Sequence, residues 1–258
     1  MLSRVQELEQ LFILDLVPSD KIYPSTQALE ELNRMNEIAL NRKPVKKVFD
    51  DKIISINIRS LKSHFEDLKN EPQLENSDVV LVQQTCLGIQ EMTDTYKLAN
   101  YSSHFNNQGN GKGLALFFRS RFTPVLDVKE DRYQMSKLES NEYDVTWAYR
   151  SSDSNPENQQ TFASVLMSMV NIQKITFISG DFNLNSSGNE PSVLSKVKSD
   201  FGFSQLVTEP THNQGGIIDH CYLSNNILQN DVKLTQKPVY YTDHDILEVQ
   251  YRKPQNIS

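Results

Sequence analysis

The stretch Lys174-Ile-Thr-Phe-Ile-Ser-Gly-Asp-Phe-Asn183 decides the fold. A short apolar run that stops at Gly-Asp-x-Asn reads as a strand buried on both faces that ends in a turn. Working outward, Thr161 to Val170 reads as a helix, and Asp144 to Tyr149 and Gly113 to Phe118 read as strands. Val79 to Val82 is another continuous apolar run. Ile53 to Ile58 is rich in β-formers, and Ser60 can cap a helix that carries Leu61, Phe65 and Leu68 on one face. Downstream, Ser192 to Asp200 reads as helical, and Ile217 to Leu223 and Ile246 to Tyr251 read as the last strands. The stretches 151–160 and 186–191 are polar and loop-like. Strands and helices interleave, which predicts an α/β domain with helices covering sheet faces. Asn57, Gln84, Asp181 with Asn183, Asp219 and Asp243-His244 all fall where these strands begin or end, the place where open α/β architectures put their sites.

Composition sets limits on function. The chain has 258 residues and a formal net charge of −7, from 26 Lys and Arg against 33 Asp and Glu. A strongly basic nucleic-acid coat is excluded, but a locally basic groove is not. No run of about 18 apolar residues is present, so no membrane-spanning helix and no membrane partner are expected. Cys86 and Cys221 are too few and too far apart for a disulfide framework or a zinc site, and both read as buried free thiols of a reducing compartment. The N-terminus lacks the order of segments of a secretory signal. Residues 1–50 read as a helical N-terminal extension and linker. Val5, Leu8, Leu11, Phe12 and Leu16, then Leu29, Leu32, Met35 and Ala39, recur at helical spacing, and Arg42, Lys43, Lys46 and Lys47 form a basic link. The main domain is expected over 51–253, with a tail at 254–258.

Six motifs in order resemble those of the endonuclease/exonuclease/phosphatase superfamily, whose fold is the DNase I-like four-layer α/β sandwich. They are Ser55-Ile-Asn57, Leu81-Val-Gln-Gln-Thr85, Trp147-Ala-Tyr149-Arg150, Ser179-Gly-Asp181-Phe-Asn183, Ile218-Asp219-His220 and Thr242-Asp243-His244. A narrower similarity is to endonuclease domains of mobile elements, Helitron-like (Helentron) first and non-LTR retrotransposons next. It rests on Asn57-Ile-Arg-Ser-Leu61 and on Gly202 to His212 followed by Gly215-Gly-Ile-Ile-Asp-His220.

The resemblance implies a Mg²⁺-dependent phosphodiester hydrolase, with Mn²⁺ as a substitute, that nicks DNA. An intracellular, nuclear location follows, with a helicase or other mobile-element domain as a further partner. Asp181 would orient or deprotonate water, and Asn183 and Asn57 would donate hydrogen bonds within the site. His244 would contact the scissile phosphate with its imidazole oriented by Asp219, and Tyr149 would donate to a phosphate oxygen. Asp243 would help hold the metal. Thr211, His212 and Arg150 are the substrate-binding candidates, although Arg150 on its own reads as the partner of a surface acid. One position departs from the pattern. The family's metal-binding glutamate is Gln84 here, which has no formal charge, and Glu91 lies seven residues on, from where a loop could bring it in. The departure leaves a weakened nuclease, a nuclease whose metal is held differently, or a catalytically inactive DNA-binding or interaction module.

Overall fold

The structure is a computed structural model that describes residues 49–152, 155–188, 190–224 and 231–253. In chain order the elements are β1 (Asp51–Asn57), α1 (Leu61–Lys69), β2 (Val79–Gln83), β3 (Ser102–Asn106), β4 (Leu114–Phe118), β5 (Thr123–Lys129), β6 (Tyr133–Glu139), β7 (Tyr143–Arg150), α2 (Pro156–Ser168), β8 (Ile175–Asp181), α3 (Ser192–Ser199), β9 (Phe203–Gln205), β10 (Asp219–Ser224), β11 (Val232–Lys237) and β12 (Ile246–Tyr251). They build two six-stranded sheets, ordered β11-β12-β1-β2-β4-β3 and β5-β6-β7-β8-β10-β9. The parallel pairs β1–β2 and β7–β8 are bridged by α1 and α2, as parallel neighbours require.

Three apolar layers hold the four structural layers together. Between the sheets lie Leu81, Leu116, Val145, Trp147, Phe177, Leu247 and Tyr251. Ile54, Val80 and Phe117 point the other way and pack under Leu61, Phe65 and Leu68 of α1. Met135, Ile178 and Tyr222 meet Phe162 and Leu166 of α2 and Leu194 of α3. Central strands therefore bury both faces, which is why they read as unbroken apolar runs. The result is the expected four-layer α/β sandwich.

Local chemistry sets the boundaries. Ser60 caps α1 by accepting from Ser63 N at 3.2 Å. Helix α2 starts at Pro156, five residues before its expected start, so half of the expected 151–160 loop is helix. Asn155 accepts from Glu157 N at 2.9 Å and Pro156 takes the first helical position, a standard N-terminal pair. Strands β3, β5, β6, β9 and β11 were not expected from the sequence. Gly180 sits at φ +147 on β8, where an added Cβ would lie 1.7 Å from the Ala148 carbonyl oxygen, so only glycine lets β7 and β8 approach here. Cys221 is buried as expected, but Cys86 is only half-buried. The helical extension and basic link of residues 1–48, and the tail at 254–258, lie outside the described residues. Among the described residues, no helix is long and apolar enough to cross a membrane.

Candidate active site

One edge of the sandwich gathers chemistry from both sheets. Asn57 and Gln84 come from the C-terminal ends of β1 and β2, and Tyr149 and Asp181 from those of β7 and β8. Asp219 opens β10 directly opposite Asp181 in the antiparallel pair, and Asp243-His244 precede β12. Two hydrogen bonds cross between the sheets beneath them. Asn57 Nδ2 donates to Asp181 Oδ2 at 2.8 Å, and Ser179 Oγ donates to Ser55 Oγ at 3.1 Å. Above lies a cleft of about 510 Å³ lined by Arg59, Gln84, Tyr149, Asp181, Asn183, His212 and His244, among others.

Asp181 is 2% exposed, and its other oxygen accepts from Asn183 N at 2.9 Å. Burial first, then the facing Asp219 carboxylate, push its pKa well above the usual carboxylate range; His244 and the two hydrogen bonds oppose this. A carboxylate with raised basicity at a cleft wall is suited to accept a proton near neutral pH. His244 Nδ1 faces Asp219 Oδ2 at 2.8 Å. That carboxylate fixes Nδ1 as the protonated nitrogen and leaves Nε2 for the cleft. Burial works to lower the pKa of His244, but the hydrogen bond and charge of Asp219, with Asp181 and Asp243, outweigh it and raise the value.

Tyr149 is pushed up to about 12, mainly by burial and then by the Asp181 charge, so it stays a phenol. Gln84 Nε2 donates to its oxygen at 2.7 Å, which leaves the Tyr149 O–H to donate elsewhere. Gln84 Nε2 also reaches the Gly111 carbonyl at 3.1 Å. A carbonyl can only accept, so the amide nitrogen must face it, and Oε1 is the atom left for a cation. Arg59, Gln84 and Asn183 each hold φ near +50 to +60°, the left-handed region that costs a side-chain-bearing residue of order 1 kcal/mol or more. Three such residues line the one cleft.

Several expected roles change. Thr211 is fully buried, and its hydroxyl accepts from Ile218 N and Asp219 N, so it shapes the loop that aims Asp219 and does not face substrate. Arg150 is also fully buried. It is not in the cleft wall; its guanidinium donates to the carbonyls of Phe182 and Asn183. Asn183 donates its amide to the Arg150 carbonyl at 2.7 Å, and this exchange fixes the turn after Asp181. Glu91 accepts from Gly88 N within its own loop and does not line the cleft. His212 does line it. Its Nδ1 accepts from Gln214 N, so Nε2 carries the proton and donates to Asp243 Oδ2 at 3.1 Å.

Arg59 was not recognised as a site residue from the sequence. It grips Asp243 with two bonds, Nε to Oδ1 at 2.8 Å and Nη2 to Oδ2 at 2.5 Å. Partial burial tends to raise the pKa of Asp243, but the charges of Arg59, His244 and His212 and a backbone hydrogen bond together outweigh it and lower the value. The one available signal was a cation two residues after Asn57. Among the described residues, two groups could hold a metal ion, Asp181-Asp219-His244 and His212-Asp243-His244, each with ligand atoms within 4.8 Å of one another. Gln84, on the wall of the same cleft, offers a further oxygen, the ligand type that suits a hard cation.

Known structures share this architecture. The endonuclease domain of TRAS1, a telomere-specific non-LTR retrotransposon, matches with a TM-score of 0.60 at 12% identity over 79% of this chain and 98% of that one. A 3′-5′ exonuclease from Neisseria meningitidis gives 0.63 at 16% identity, over 78% and 99%. An AP endonuclease from Archaeoglobus fulgidus gives 0.60 at 16%, over 78% and 99%. No curated protein sequence matches the chain. Residues 54–244 match the endonuclease/exonuclease/phosphatase family, a span that runs from the strand bearing Asn57 to His244 itself. Sandwich, site order and sequence match agree, and the chain belongs to the endonuclease/exonuclease/phosphatase family.

Proposed function

We propose that the protein is a divalent-metal-dependent phosphodiester hydrolase that nicks DNA and derives from a mobile element. The observation that carries the reading is the Asp219–His244 pair set beside a buried, basic Asp181 in one open cleft. Asp181 takes a proton from water, its two oxygens aimed by Asn57 and by the Asn183 N–H. His244 presents Nε2 to the phosphate, and Asp219 supports the positive charge of the ring. Tyr149 donates its O–H to a phosphate oxygen. Gln84 Oε1 and Asp243 are the residues that would hold Mg²⁺ or Mn²⁺, whose part would be to neutralise charge on the non-bridging and leaving oxygens.

DNA as substrate draws on similarity to the TRAS1 endonuclease domain and to a Neisseria 3′ phosphatase described as bound to a product DNA hairpin. Mobile-element origin draws on the Pro210-Thr-His212 and Gly215 to His220 runs. A nuclear location and a helicase partner belong to the same reading. Gln84 favours a second one, a binding module that has lost cleavage, because the expected metal ligand carries no charge. Incubation of supercoiled plasmid with Mg²⁺, with Mn²⁺ and with EDTA separates the two. Nicked circles with 5′-phosphate and 3′-hydroxyl ends, formed with either metal and absent in EDTA, support the hydrolase. DNA binding with no nicking under any condition supports the module.

A further inference from the structure

Asp243 is doubly occupied in the free protein. Arg59 donates one bond to each of its oxygens, and His212 Nε2–H donates a second to Oδ2. Gln84 adds no charge nearby, so the metal-side carboxylate is already neutralised by a side chain. The Arg59 backbone is fixed in place. Its N–H donates to Asn57 Oδ1 at 3.1 Å, and the Cys86 thiol donates to its carbonyl at 2.8 Å. Its side chain is 51% exposed and lines the cleft, so the guanidinium can turn from Asp243 to a phosphate without any change in the backbone.

We propose that Arg59 is a latch on Asp243. A divalent metal and Arg59 compete for this carboxylate, and a DNA phosphate in the cleft draws Arg59 off it, so that DNA and metal each promote binding of the other. The inference rests on the hydrolase reading for its ligands. It follows from charge. A guanidinium forms paired bonds to phosphate as readily as to carboxylate, and once it leaves, Asp243 recovers the charge a cation needs. Coupling of this kind is reciprocal by thermodynamic necessity. The latch would keep the site poorly metallated until substrate arrives.

The test uses the full chain and needs no turnover. Mn²⁺ binding is titrated by the electron paramagnetic resonance signal of the free ion, without DNA, for wild type, Arg59→Ala and Arg59→Gln. Affinity of a short DNA duplex is measured separately in EDTA. Loss of a partly exposed ion-pair competitor should tighten Mn²⁺ binding about two- to fivefold in both variants. The same variants should bind the duplex about two- to fivefold more weakly in EDTA. A variant that merely loosened the site would bind both ligands more weakly, so the opposite directions identify the latch. Mn²⁺ affinity that is unchanged or weaker in both variants, absence of Mn²⁺ binding in all three proteins, or duplex affinity indifferent to Arg59 would overturn it. The opposite shifts in a protein that never nicks plasmid would count against the hydrolase reading alone.

Discussion

Gln84→Glu is the most informative single change. It places the family's charge back in the cleft, and glutamate is nearly isosteric with glutamine, yet the substitution is not silent. Gln84 Nε2 donates to the Gly111 carbonyl and to the Tyr149 hydroxyl oxygen. A carboxylate cannot donate. Tyr149 can rotate its O–H to donate to the new oxygen, which recovers one bond, but the Gly111 carbonyl is left facing an acceptor. That bond is exposed, so water can take its place, and its loss should cost about 1 kcal/mol without metal. For a domain of this size that corresponds to a fall in Tm of about 2–4 °C. Mg²⁺ at a hundredfold excess over the variant's dissociation constant returns about 2.7 kcal/mol, so the deficit should vanish at concentrations where wild type, which binds the ion more weakly, gains little. The assay is thermal unfolding of both proteins in EDTA and across a Mg²⁺ titration, with plasmid nicking measured in parallel. The variant should melt below wild type in EDTA and at or above it in saturating Mg²⁺, and its gain in nicking should be largest at limiting Mg²⁺. Equal melting in EDTA would mean that the two amide bonds carry nothing. Lower melting that Mg²⁺ does not repair would remove residue 84 from the metal site, and a variant that binds Mg²⁺ well yet stays inert would favour the binding module.

Other expectations follow from the same geometry. His244→Ala and Asp181→Asn should each reduce nicking by about 10²–10⁴-fold while circular dichroism stays unchanged; full activity in either removes that residue from the site. The pH profile of nicking should be a bell. Asp181 must be ionised and its pKa is raised, so activity should fall as pH drops through a value above the usual aspartate range. His244 acts as a cation and its pKa is also raised, so activity should fall as pH climbs through a value above 6.5; an acid limb centred near 4 would contradict the placement of Asp181. Gly180→Ala forces a Cβ into the Ala148 carbonyl and should destabilise by more than about 3 kcal/mol in urea unfolding, whereas a change below about 1 kcal/mol would mean that β7 and β8 can part easily.

What the sequence disclosed depended on where each strand sits. β1, β2, β4 and β8 lie inside the sheets, bury both faces, and read as apolar runs. β3, β5 and β11 are edge strands whose Ser, Asp, Lys and Thr face solvent, so they carry no apolar signature. β6 is central yet was also missed, because Gln134, Ser136 and Lys137 are buried with partners that only the fold supplies; Lys137 meets Asp144 at 3.1 Å across the β6–β7 pair. Site residues followed the same logic. Asn57, Asp181, Asp219 and His244 stood out because each is polar at the end of an apolar run. Arg150 and Thr211 looked like substrate contacts by residue type, but Arg150 donates to the distant carbonyls of Phe182 and Asn183, and Thr211 accepts from the Ile218 and Asp219 N–H groups of its own loop. Arg59 lies within the Asn57-Ile-Arg-Ser-Leu61 motif, but its role depends on a partner, Asp243, that is 184 residues away.

The sheet order has a consequence for how the activity is born. β12, last of the described strands, slots between β11 and β1, the first strand described, and it follows directly on His244. A chain still being translated can pair β1 with β2 and lay α1 over them, but the place on the other side of β1 stays vacant until residue 251 has left the ribosome. Every shorter nascent chain lacks the histidine, or lacks the strand that seats it. The cleft is therefore complete only once β12 has taken its place beside β1.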